Sequence, residues 1–275
     1  ESHGKGLLAL VDGFPAGFEI DLAKIDEHLL RRQGGYGRGG RQKLEQDHVE
    51  ILTGVWKNTT LGGPITLQVI NRDYTLERLK ELPRPRPGHG DLSGSIKYLS
   101  SMRGILERAS ARETCVRVAA GALCQQLLET FGITTIGYVV QLGSAKIPPQ
   151  PGSIEERRKW RNESRIYSLD PSRDEDVCTL IDETKKAGDT LGGIVEVVVE
   201  GLPFGLGTHA QWDLKLDGRL AQAVMAVQAI KGVEIGMGFE AATLPGSQVH
   251  DGINFDSKEK STPPSVSSTM TSWIG

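Results

Sequence analysis

Hydrophobic positions recur along this chain at two spacings, one helical and one of strands. Leu22, Ile25 and Leu29 lie three and four residues apart, Asp21 before them suits a helix N-cap, and Gly34 offers a stop. A longer helix is predicted from about Met102 to Thr130, with Val116, Ala119, Leu123 and Leu127 on one face and Gly132 closing it. A third is predicted from about Asp213 to Ile230, where Leu216, Leu220, Val224 and Val227 repeat the spacing. Short apolar or alternating runs predict strands at Gly6 to Val11, Val49 to Val55, Pro64 to Asn71, Ile133 to Gln141 and Gly193 to Glu200. The chain is therefore of mixed α/β (α+β) class.

Two motifs occur twice and in the same order. "VDGFPAG" (11–17) returns as "VEGLPFG" (199–205), and "VEILTGVWKNTTLGG" (49–63) as "VEIGMGFEAATLPGS" (233–247), at offsets of 188 and 184 residues. Nearly constant offsets imply an internal duplication, and two similar halves pack most simply as a pseudo-twofold β-α-β sandwich around a shared core. Gln150 to Arg165 between them is polar and reads as an exposed connection. The Ser/Thr/Pro-rich residues 256–275 show no hydrophobic period and read as a disordered tail, leaving 1–255 as the folded domain.

Composition narrows the function. The 35 acidic and 32 basic residues nearly cancel, so any anion must be held by a local cluster and not by a general field. Cys115, Cys124 and Cys178 form no CxxC pair, which suggests a reducing compartment. No apolar run approaches the roughly 20 residues of a membrane helix.

The local cluster is "RRQGGYGRGGRQK" (31–43), where Arg31, Arg32, Arg38, Arg41 and Lys43 surround five glycines. Its Gly35, Gly37 and Gly40 match GxGxxG by letters, but the stretch follows a helix where a dinucleotide fingerprint must follow a strand. Its composition also admits RNA binding, and a plain solvated loop is the simplest structural alternative. Two histidines stand in glycine-flanked loops: His3 in "ESHGKG", and His89 in "RPRPGHGDLSG" beside Arg84, Arg86 and Asp91. His28, His48, His209 and His250 read as structural, and no histidine has zinc-site spacing, so no metal is expected. In "LERASARET" (106–114), Arg108 and Arg112 lie four apart, a spacing that on one helix face would hold an anion between them.

Together "ESHGKG", "RRQGGYGRGGRQK", "TLGGPITLQVINRD", "RPGHGDLSGSIKY", "ERASARET", "KGVEIGMGF" and "GSQVHD", in this order over about residues 1–253, resemble the chorismate synthase family. The resemblance implies a β-α-β sandwich assembled as a homotetramer. It implies a lyase of the shikimate pathway that converts 5-enolpyruvylshikimate-3-phosphate to chorismate by 1,4-elimination of phosphate, with reduced FMN and no net redox change. By position, Arg32, Arg38 and Arg41 resemble the arginines for the substrate's anionic groups, and Arg32 and Arg38 also match positions assigned to NADPH in members that reduce their own flavin. His3 resembles the histidine that protonates the departing phosphate, and His89 the one that protonates or polarises the flavin. Arg86 and Arg112 are assigned to substrate, and Arg108, Ala109, Ser110, Gln228 and Ala229 to the flavin. Lys5, Gly90 and Gln228 depart from the family's usual residues at their positions.

The chain begins at Glu1 and ends in an atypical tail, so it reads as a fragment or variant of such an enzyme, and a truncated, inactive flavin- or substrate-binding form is the alternative. The expected compartment is the cytoplasm, or a plastid in a eukaryote.

Overall fold

The structure is a computed structural model that describes residues 2–39 and 45–250. Arg41 and the 256–275 tail lie outside the described residues. Contacts divide the chain into two compact units, residues 1–201 and 202–275.

The first unit opens with β1 (Gly6–Val11) and α1 (Leu22–Gln33). Asp21 caps α1 by accepting from the Ala23 and Lys24 amides, and Gly34 closes it through its own N–H to the Leu30 and Arg31 carbonyls. β2 (Val49–Thr53) ends at a bulge, and the chain turns through Gly54 into a hairpin of β3 (Val55–Trp56) and β4 (Thr59–Thr60). The predicted strand 49–55 is thereby divided. Lys57 and Asn58 both take the left-handed conformation (φ 48° and 61°), which matches a tight two-residue turn to the strand twist. β5 (Ile65–Ile70) then forms the middle of an antiparallel sheet in the order β1-β5-β2.

That sheet is amphipathic. Leu7, Ile65, Leu67 and Val69 point to one buried face, while Leu8 and Leu10 stay exposed on the other. Onto the buried face pack Ile25 and Leu29 of α1 and Cys115, Ala119 and Leu123 of a later helix, forming the largest core.

Next come α2 (Asp91–Tyr98), α3 (Met102–Ala109) and α4 (Thr114–Glu129). The single helix predicted from Met102 to Thr130 is broken. Ser110 is extended (φ −69°, ψ 141°), its Oγ accepts from the Arg112 amide at 3.2 Å, and Thr114 Oγ donates to the Ala111 carbonyl at 2.7 Å. These short side-chain bonds satisfy backbone groups locally and compete with a continuous helix. Arg108 and Arg112 therefore do not share a helix face, and the anion clamp expected from their spacing is not formed.

β6 (Thr134–Leu142), β7 (Ala145–Lys146) and β8 (Gly193–Glu200) make a second antiparallel sheet in the order β7-β6-β8. α4 packs against β1 and β5 and also meets β6, so a helix layer lies between two sheets within this unit. Between β7 and β8 run α5 (Ile154–Glu163) and α6 (Asp174–Lys186). The expected exposed connection at 150–165 is thus mostly a helix. A reciprocal Ser153–Glu156 capping box starts it, and Ile154 and Arg161 are buried. Only two or three of its residues face the core, so its hydrophobic period is faint.

The second unit holds a 3-10 turn at Trp212–Leu214, then α7 (Leu216–Met225) and α8 (Gly246–Val249). The helix predicted over 213–230 is shorter at both ends. The duplicated motif keeps its backbone: Gly13 and Gly17 have φ 75° and 81°, and Gly201 and Gly205 both have 79°. Residues 233–237 are not a strand, unlike their counterparts 49–53. The counterpart of β5, which supplies the ladder in the first copy, falls at 249–254 and mostly outside the described residues.

Candidate active site

His3 sits just before β1 with every backbone and near-ring group engaged. Its amide donates to Glu107 Oε2 at 2.7 Å, its Nδ1 meets Glu107 Oε1 at 2.9 Å, and its carbonyl accepts from the Leu76 amide at 3.1 Å. Glu107 lies near the end of α3, largely buried. Burial pushes its carboxyl up, but the hydrogen bonds from His3 outweigh this and hold it below the ordinary range, so it is a carboxylate at neutral pH. Ser2 beside it donates its amide to the Glu107 carbonyl and accepts from Ser110 Oγ at 3.0 Å.

The next layer is a buried polar chain. Asn71, fully buried at the end of β5, donates from Nδ2 to the Gly4 carbonyl at 2.9 Å and accepts at Oδ1 from Arg112 Nε at 2.9 Å. Arg112 makes two parallel bonds of 2.8 Å to Asp47. Asp47 reaches Arg32 Nη1 at 3.4 Å, and Arg32 is held further by Thr114 Oγ and the Ala111 carbonyl. One hydrogen-bonded network thus runs from His3 to Arg32. The Cys115 thiol borders it, pushed up to about 12 by burial and by the neighbouring Asp47 carboxylate.

His89 and Arg86 occupy the proline-stiffened loop before α2. Arg86 Nε and Nη2 contact both oxygens of Asp91 at 2.8 and 3.0 Å, and Nη2 lies 3.2 Å from His89 Nδ1. The Arg86 guanidinium holds the Asp91 carboxyl down at about 2, against its burial. The start of this helix meets the end of α3: Gly90, Gly94, Lys97, Ile105, Arg108 and Ala109 line a groove of about 510 Å³ between α2 and α3. The six combine a small, apolar floor with two cationic side chains.

Arg38 is exposed, and its Nε donates to the Gly34 carbonyl. The loop carrying it is braced at its base, where Tyr36 OH donates to Asp182 at 2.7 Å and the Arg165 guanidinium lies 4.5 Å over the Tyr36 ring. Gln228 and Ala229 belong to the second unit, and Ala229 is strained at φ 71°.

The structure brings together His3, Arg32, Ser110 and Arg112, and separately Arg86 with His89 and the groove bearing Arg108 and Ala109. Glu107, Asp47 and Asn71 were missed in the sequence. Asn71 lies in the motif at 60–73 and Glu107 in that at 107–114, but nothing in spacing alone marks Asp47, whose partners are 15 and 65 residues away.

Comparison with known proteins decides the identity. A family model described as chorismate synthase matches residues 1–269. The chorismate synthase of Geobacter metallireducens is 51% identical over 270 residues, covering 94% of this chain and 69% of the relative. That of Brevibacillus brevis is 51% identical over 268 residues, covering 92% and 69%. A crystal structure of a chorismate synthase superposes with a TM-score of 0.80 at 43% identity, over 93% of this chain and 71% of the other.

The chain belongs to the chorismate synthase family. It is a lyase of the shikimate pathway to aromatic amino acids. The family implies a small-molecule substrate. Among the described residues no helix is long and apolar enough to cross a membrane.

Proposed function

We propose that the His3–Arg32 network and the α2–α3 groove form one site for 5-enolpyruvylshikimate-3-phosphate and reduced FMN, acting in the cytoplasm. The observation that carries this reading is the continuous hydrogen-bonded path from His3 through Glu107, Ser2, Ser110, Arg112 and Asp47 to Arg32. A proton donor and a phosphate-binding cation are thereby held in one rigid frame.

The substrate carries a phosphate and two carboxylates. Guanidinium forks match both groups, and Arg32, Arg38 and Arg41 are the candidates to hold them. Arg86 adds a further cation. Arg112 is spent on Asp47 and Asn71, so it serves the substrate by fixing Arg32 and the His3 segment.

In the elimination, the C–O bond to phosphate breaks and its electron pair leaves on the phosphate oxygen. Arginines stabilise that charge and His3 donates a proton to it. A second ring carbon loses a proton to solvent, and the C–H electron pair it leaves behind becomes part of the new C=C system, so that no net redox change occurs.

The α2–α3 groove suits an anionic cofactor with an apolar body, because glycines and Ile105 give a small apolar floor while Lys97 and Arg108 offer charge. Arg108, Ala109 and Ser110 would hold FMN there, and His89 would set its protonation. When bound, reduced FMN would supply electron density that weakens the C–O bond. Where NADPH reduces the flavin, Arg32 and Arg38 would meet its phosphate. Leu8 and Leu10 on β1, and Val195 and Val197 on β8, present apolar rows to solvent, which supports burial in a homotetramer.

The test is anaerobic incubation with substrate and photoreduced FMN, following chorismate. Formation of chorismate, lost in His3→Ala and reduced in Arg32→Ala, is expected. Phosphate-ester binding without turnover would favour the inactive-form alternative.

A further inference from the structure

We infer that Glu107 is the positioning residue for His3, fixing its ring orientation and placing a proton on Nδ1, so that Nε2 is the nitrogen that serves the substrate. The inference rests on the reading of His3 as proton donor.

The geometry is a two-point clamp. Oε2 takes the His3 backbone N–H and Oε1 takes the ring Nδ1. Both carboxylate oxygens only accept, so Nδ1 must be the donor in either charge state of the ring. The His3 carbonyl is tied to Leu76, and the flanking Ser2 amide and Gly4 carbonyl are tied to the Glu107 carbonyl and Asn71. The backbone therefore cannot swing the ring elsewhere. Among the described residues no hydrogen bond engages Nε2.

The chemistry follows from that arrangement. When the C–O bonding pair departs onto the phosphate oxygen, Nε2–H gives its proton to that oxygen. The imidazolium becomes a neutral imidazole that keeps its Nδ1 proton on Glu107. The glutamate stabilises the cation before the step and never exchanges a proton itself. A carboxylate in this place does for a general acid what the orienting acid does for the histidine of a hydrolase triad.

Glutamine has one acceptor where this site demands two. In Glu107→Gln, the carbonyl satisfies the His3 amide, and the NH₂ then faces Nδ1 and forces the neutral ring to carry its proton on Nε2. We expect kcat of the full FMN-loaded chain to fall about 100-fold or more, with KM for the phosphorylated substrate changing less than about 3-fold. Glu107→Asp should recover part of kcat. ¹⁵N NMR of histidine-labelled chain should show neutral His3 protonated at Nδ1 in the wild type and at Nε2 in Glu107→Gln.

An unchanged kcat in Glu107→Gln, or a wild-type His3 protonated at Nε2, overturns the inference. The wild-type spectrum decides the matter even where the variant does not fold. His3→Ala separates the two readings: if it retains turnover, His3 is not the donor, whereas loss in His3→Ala with full activity in Glu107→Gln removes only the role of Glu107.

Discussion

Asp47 balances one buried and one partly buried guanidinium, meeting Arg112 through parallel contacts of 2.8 Å and Arg32 at 3.4 Å. Its side chain is completely shielded from solvent, so no water replaces it when it is lost.

Asp47→Asn should therefore destabilise the fold by about 3–5 kcal/mol, because it strands buried charge. Glu27→Gln, which removes only an exposed i,i+4 pair with Arg31, should cost about 0.5 kcal/mol or less. Urea denaturation of the two variants checks the contrast.

Arg38 behaves in the opposite way. It is exposed and held only loosely to the Gly34 carbonyl, so its removal costs the fold little. Arg38→Ala should raise KM for the phosphorylated substrate about 10-fold or more while the urea midpoint stays unchanged, and Arg38→Lys should not restore it, since an ammonium cannot make the bidentate contact. Steady-state kinetics with reduced FMN measures both.

The Arg86–Asp91 pair carries a pH signature. Its folded carboxyl lies at about 2, below the ordinary 3.8, so its stabilisation is complete above about 4 and is lost as pH falls from there toward 2. Acid titration followed by hydrogen exchange should show amides of residues 84–92 losing protection within that window. In Asp91→Asn they should be weakly protected at every pH.

The duplicated glycines should respond unequally. A Cβ on Gly13 meets nothing within 4 Å, so Gly13→Ala pays only for its left-handed backbone, about 1–2 kcal/mol. A Cβ on Gly201 would lie 2.0 Å from the Gly132 carbonyl oxygen, and Gly201→Ala should cost more than twice as much, or fail to fold. Thermal unfolding of both variants reads the difference.

Much of the first unit was legible in the chain. β1 and β8 fall at their predicted bounds, and α1 begins at its Asp21 cap and ends at Gly34, because periodicity and end signals agreed there. α6 and most of α5 went unread, since their apolar positions are few and charged residues dominate both. The break at Ser110 was hidden because the apolar period continues through it, while two hydroxyl side chains redirect the backbone. In the candidate site, the motifs contain His3, His89 and Arg32, but the residues bonded to them could not be read. Asp47 and Glu107 act across 65 and 104 residues of separation, and only the fold brings such groups into contact.

The extended residue at 110 also sets a limit on change in length. Within eight positions, Glu107 serves His3, Ser110 serves Ser2, Ala111 and Thr114 serve Arg32, and Arg112 serves Asn71. Inserting a single amino acid at this extended position would displace the downstream groups by about 3.3 Å along the chain relative to the upstream ones. Point substitutions in this segment can be absorbed one contact at a time, but a shift in its register would uncouple His3 from Arg32 and Asn71 all at once.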